Sequence, residues 1–202
     1  VRLTRRTANY ADPHHRYGVF CKADPNRSAG GDRDMTAIFA HSTGSTLLEA
    51  RSRSHRLPFW MTAGFGYYVE HRIFERCRVH YLDFQAYYEE NDAEIKRGET
   101  LGPDDDWTDV LRRLCRKGTR ESLEDVCSAQ ILTLSPNESG YIFALTCFLV
   151  RDEAAREKYR ELVGKAREGA AVDKALLLET YGHADDAALE AGVDGDLTQR
   201  SR

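Results

Sequence analysis

The side chains of this chain best equipped for chemistry are histidines, serines and carboxylates, and their spacing decides what they can do. His41, Ser42 and Ser45 share one polar stretch, His41-Ser42-Thr43-Gly44-Ser45-Thr46. Neighbouring positions on a helix do not face one another, and a serine nucleophile there lacks the strand–elbow–helix setting that exposes such a hydroxyl. His14, His15, His55 and His80 fall in loops or at element ends, and none pairs with another at ligand spacing on a shared face. Glu49 lies two turns beyond His41, and Glu70 and His71 lie two turns beyond Ala63, so substitute metal ligands are conceivable but not aligned by the sequence. Asp104-Asp105-Asp106 lacks the calcium-loop pattern and reads as a solvated loop and helix cap. The five cysteines, Cys21, Cys77, Cys115, Cys127 and Cys147, form no CxxC pair, which argues against a zinc ribbon or a thioredoxin-type site. Cys77 and Cys147 lie in apolar helical patterns and are expected as buried thiols, with no disulfide.

The elements that must position these residues read mainly as helices. Residues 15–21 are rich in β-formers and predict one strand within an irregular N-terminal stretch. A helix follows from Asp32 or Asp34, with Met35, Ile38, Phe39, Leu47 and Leu48 as its apolar face and a polar centre poor in helix formers. Such a weak polar centre in a buried helix suggests that it once served a site. Pro58 suits the first turn of a second helix running to Cys77, apolar nearly all round and therefore central. Gly64 and Gly66 cost roughly 1 kcal/mol each inside a helix; they make sense where another helix comes close, with Gly44 as a facing residue. Trp60, Tyr67 and Tyr68 read as core, with a ligand groove as the sharper alternative. Further helices are expected over 81–97, from Trp107, over Leu123 to Ile131, from Tyr141 after a break at 135–140, from Tyr159, and over Val172 to Tyr181, before a polar tail at 190–202.

Composition sets the bounds. With 202 residues, 41% apolar and 31% charged, the chain can bury a core and has no apolar run long enough to cross a bilayer. Ten Lys/Arg face five Asp/Glu in residues 1–60, against nineteen facing twenty-eight in the remainder. This basic excess reads as solvated surface, because no aromatic-plus-basic RNA signature or helix-turn-helix accompanies it. No charged-then-apolar leader is visible at the start, and the compartment stays open.

The order of the pieces resembles a known family. Ile38-Phe39-Ala40-His41-Ser42-Thr43-Gly44-Ser45-Thr46-Leu47-Leu48 looks like a zincin active-site helix. About ten residues on, Leu57-Pro58-Phe59-Trp60-Met61-Thr62-Ala63-Gly64-Phe65-Gly66-Tyr67-Tyr68-Val69-Glu70 is similar to the "LPxWLxEGxAEYxE" helix of gluzincin-like domains of the peptidase MA superfamily, known mostly from bacterial genomes. The helical segments from Ser139 to Tyr181 resemble the C-terminal part of such domains, so the likeness spans roughly residues 15–190. It implies an α+β, predominantly helical fold: a zincin-like helix pair with a small N-terminal β element over 1–80, a helical C-terminal subdomain over 81–190, and a flexible tail over 191–202.

In an H-E-x-x-H helix two histidines four apart grip zinc, the Glu after the first takes a proton from the bound water, and a Glu on the next helix completes the ligands. By the resemblance His41 keeps the first histidine. Ser42 stands at the base position, Ser45 at the second histidine, Ala63 at the third-ligand Glu, and Tyr67 at the family's further Glu before the Tyr. One ligand of three survives, so zinc is expected to be lost, with no other cofactor and no catalytic residue. Gly44, Trp60, Tyr67 and Glu70 are then candidates to line a remaining cleft. The resemblance implies a pseudopeptidase acting as a structural or binding module for an unknown protein or peptide, without nucleic acid or a membrane span. Export is expected of the parent protein only by analogy with the family. Two alternatives stand beside it: an active metal-dependent hydrolase with unconventional ligands around His41, and an unrelated helical interaction domain in which the two helices would not pack as antiparallel neighbours.

Overall fold

The computed structural model describes residues 9–12, 17–20, 32–52, 57–78, 101, 105–130 and 134–199. The helices expected over 81–97 and the residues His14, His15, Cys21, His55, His80, Asp104 and Ile131 lie outside them. The described part is predominantly helical. Strands β1 (Asn9–Asp12) and β2 (Tyr17–Phe20) pair antiparallel, with Asn9 opposite Phe20 and Asp12 opposite Tyr17. Among the described residues eight helices follow: α1 (Asp32–Ser52), α2 (Phe59–Phe74), α3 (Trp107–Lys117), α4 (Leu123–Ser128), α5 (Pro136–Leu149), α6 (Glu153–Arg167), α7 (Lys174–Tyr181) and α8 (Asp186–Gln199).

Local chemistry sets several boundaries. The Asp106, Asp152 and Asp173 side chains accept from Asp109 N, Ala155 N and Leu176 N and so cap α3, α6 and α7. Gly118 and Gly182 close α3 and α7 in the left-handed conformation. α2 begins one residue later than expected, with Pro58 as its N-cap, and ends at Phe74, where Glu75 turns left-handed at φ 57°. Cys77 therefore follows the helix instead of closing it.

Two sequence readings are corrected. The segment 135–140 is not a break: Ser135 and Glu138 form a capping box around Pro136, and α5 starts there. The polar tail expected from 190 is instead the body of α8, whose Leu189, Val193 and Leu197 recur every four residues and are buried. Gly192 weakens that helix locally, but a Cβ in its place would lie 2.7 Å from Phe148 Cζ, so α5 occupies the space a side chain would need.

Helix α5 is the most enclosed element. Every residue from Ser139 to Leu149 is buried, and α2, α3, α4, α6 and α8 all pack on it. One continuous apolar cluster runs from Leu48 through Trp60, Met61, Trp107, Leu111, Ile142, Leu145 and Leu162 to Leu197. Tyr159 on α6 donates to Met61 O at 3.4 Å, and the Tyr181 hydroxyl, 2.7 Å from Leu149 O, ties α7 to the end of α5.

Several polar contacts fasten the C-terminal helix: Arg112 Nε donates to Leu197 O at 3.2 Å, Lys174 pairs with Asp186 at 2.7 Å, and Arg120 holds two carboxylates. Arg120 lies 2.8 Å from Glu190 Oε2 and 3.1 Å from Asp194 Oδ1, and stands 5.3 Å from the Tyr141 ring centroid. Glu190 Oε1 in turn accepts from Leu123 N at 2.7 Å, which joins the start of α4 to one face of α8. The partners are half-buried, so solvent screening reduces their worth below that of a fully buried pair. Arg120→Ala is expected to cost about 1–3 kcal/mol by denaturant titration, with α8 amides exchanging faster with solvent. Unchanged stability together with unchanged α8 exchange would show that the link does not hold the helix.

Candidate functional site

The site begins with how closely α1 and α2 approach. Among the described side chains of α1, Ala37, Ala40, His41, Gly44, Leu48 and Ser52 are buried, a stripe at helical spacing dominated by small side chains. The apolar face read from the sequence is thus displaced: Phe39 and Leu47 are 55% and 61% exposed, although Leu48 is buried. The reason is steric. A Cβ on Gly44 would lie 3.0 Å from Val69 Cβ and 3.1 Å from Gly66 Cα, so the two backbones come within reach of each other and exclude large side chains. Gly66 is tighter still, since a Cβ there would stand 2.6 Å from Ser45 Oγ and 2.8 Å from both His41 Cε1 and His41 O. Gly64 serves a different neighbour: its missing Cβ would meet Thr146 Oγ1 and Ile142 on α5. The facing residue expected for the glycine pair, Gly44, is met by Gly66 and not by Gly64.

The partner order fixes the relative direction. Ser45 donates its hydroxyl to Thr62 O at 2.9 Å, with His41 O within reach at 3.2 Å. His41, one turn earlier on α1, meets Gly66, Tyr67 and Glu70, one to two turns later on α2. The helices therefore run antiparallel.

His41 is 2% exposed and Glu70 1%. His41 Nδ1 stands 3.8 Å from Glu70 Oε2, beyond direct hydrogen-bond range, with both groups almost wholly removed from solvent. The Tyr67 ring meets the imidazole edge-on, with centroids 4.4 Å apart and planes at 62°. Tyr67 continues into Trp107 at 4.9 Å, and Trp107 into Phe143 at 5.9 Å, so an aromatic row leads from the imidazole to α5. Glu70 Oε1 accepts from Arg78 N at 3.0 Å, and the Cys77 thiol donates to Tyr67 O at 3.3 Å. The short extended segment after α2 thus folds back over the carboxylate. Burial, reinforced by the charge of Glu70, pushes the Cys77 thiol well above the usual range.

The residues singled out in the sequence divide into three groups. His41, Tyr67 and Glu70 are brought together, and Gly44 and Ser45 build the crossing beside them. Ala63 is fully buried one turn before Gly66 and Tyr67 on the same side of α2, while Trp60 is core. Ser42 is half-buried next to the imidazole. The remaining candidates are elsewhere. His71 packs against Phe143 at 5.0 Å, and Glu49 lies eight residues along α1 from His41, about 12 Å by helical rise. The pairing of Glu70 with His41 is what the sequence did not reveal. Its signal was present, because Ala63, Gly66, Tyr67 and Glu70 recur at three- and four-residue steps and share one face.

A zinc ion needs a donor set that these positions do not supply. A catalytic zinc site takes three protein ligands with an open fourth position. Here an imidazole and a carboxylate face each other, the Ser45 hydroxyl is spent on backbone carbonyls, and Ala63 has no donor. Among the described residues no group of three or more His, Cys, Asp or Glu side chains is arranged to hold a metal ion. A cavity of about 200 Å³ lies nearby, between the end of α2 and the first turn of α3; His71, Glu75, Arg76, Cys77, Arg78 and Trp107 contribute to its walls. No helix among the described residues is long and apolar enough to cross a membrane. No protein-family model matches the chain, and neither a curated protein nor a solved structure does.

Two measurements probe this geometry. Gly66→Ala forces a methyl group onto His41 and Ser45 and is expected to destabilise by about 1–3 kcal/mol. Gly164→Ala on α6 meets nothing within 4 Å and is expected to stabilise by about 0.4–1 kcal/mol. Thermal melts of the two variants should move in opposite directions, and a Gly66→Ala protein as stable as the parent would contradict the close crossing. The second concerns the thiols. With its pKa raised, Cys77 stays a neutral thiol through neutral and mildly alkaline pH. Both it and Cys147 are buried. Alkylation of the folded protein at pH 8 followed by peptide mapping should leave both unmodified until denaturant is added; prompt labelling of Cys77 would show that the segment over Glu70 is open.

Proposed function

We propose that this chain is a zincin-like helical scaffold that has lost its peptidase chemistry and serves as a structural or binding module. The observation that carries the reading is the closed state of the His41 position. Its imidazole lies over the Gly66 backbone, is edged by Tyr67 and is almost wholly removed from solvent. A water-activating centre must admit water and substrate to the same point, and an imidazole packed into a helix crossing meets neither demand. The hydroxyl at the expected second-histidine position, Ser45, is used to hold the helices together, and the expected third-ligand position, Ala63, offers only a methyl group. The antiparallel packing of α1 and α2, with His41 against Gly66 and Tyr67, one turn along α2 from Ala63, is the arrangement the zincin resemblance requires and the unrelated-domain reading does not. The module would engage a protein or peptide partner through surfaces other than the buried crossing.

A second reading is favoured by one specific feature. An imidazole from α1 and a carboxylate from α2 face each other at 3.8 Å, which is the beginning of a ligand set. In that reading the chain is a metal-dependent hydrolase built on His41 and Glu70, with a ligand beyond those described.

Elemental analysis of protein purified without chelator separates the two. The inactive-scaffold reading expects well under one zinc per chain, and peptide hydrolysis no faster than buffer whether or not His41 is replaced by alanine. Stoichiometric zinc that is lost in His41→Ala and Glu70→Gln, together with chelator-sensitive cleavage, would overturn it in favour of the hydrolase.

A further inference from the structure

We draw no further inference here: the strongest candidate, the cavity between the C-terminal turn of α2 and the first turn of α3, is lined by acidic and basic side chains in equal number (Glu75, Asp105 and Asp106 against His71, Arg76 and Arg78) and the Trp107 indole nitrogen beside it is itself sealed from solvent, so nothing in the structure says which ligand it would take.

Discussion

The structure depends on one steric constraint: α2 is approached closely from two sides. Gly64 and Gly66 are two residues apart, about 200° around the helix, so their bare backbones face nearly opposite directions. Gly66 admits α1 through Gly44, Ser45 and the His41 ring, and Gly64 admits α5 through Thr146 and Ile142. Each glycine weakens α2 as an isolated helix by about 0.5–1 kcal/mol. Removing the side chains lets three helices pack with many short contacts, and dispersion and burial offset that loss. The placement of every candidate residue follows. His41 reaches Tyr67 and Glu70 because nothing stands at position 66 to hold it away.

Much of this was legible in the sequence, for identifiable reasons. The apolar run after Pro58, interrupted by two glycines, announced a buried helix with close neighbours, and Gly44 announced one of them. The capping aspartate before Trp107 and the glycine after Tyr181 marked helix ends that the structure places at those residues. The failures are equally physical. Apolar periodicity suggested that Phe39 and Leu47 faced inward, yet a face that must touch backbone is built from Ala, Gly and Ser, which hydrophobicity alone ranks low. Ser135-Pro136-Asn137-Glu138 looked like a breaker by composition, whereas the serine and glutamate three residues apart form the start signal that the structure uses. The last helix was hidden because Gly192 and Gly195 dilute its propensity, and its stripe of Leu189, Val193 and Leu197 has meaning only once α5 is there to receive it.

Contacts distant in sequence were the least legible. Arg120 meets Glu190 and Asp194 some seventy residues later, and no local pattern couples them. The pairing of His41 with Glu70 was closer to hand, since both lie on helices whose mutual approach the glycines signalled. What the sequence lacked was the register. Ala63 and Glu70 lie about two turns apart on α2, and which of them the imidazole faces is set by which small residues meet at the crossing.

The two polar clusters differ in what they ask of their neighbours. The Arg120 link lies at the edge of the core, where solvent can replace a lost partner, so each member tolerates change with moderate loss. The imidazole and carboxylate at the α1–α2 crossing are instead almost wholly removed from solvent. Removing one member of a buried pair leaves the other in a low-dielectric surrounding at a cost of about 3–5 kcal/mol, whereas exchanging both for apolar groups of similar shape is often neutral. His41 and Glu70 are neighbours at such a position, so a change at one alters the buried surroundings of the other. Within the crossing the His41 imidazole has the Glu70 carboxylate as a polar neighbour and the Tyr67 ring as an aromatic one.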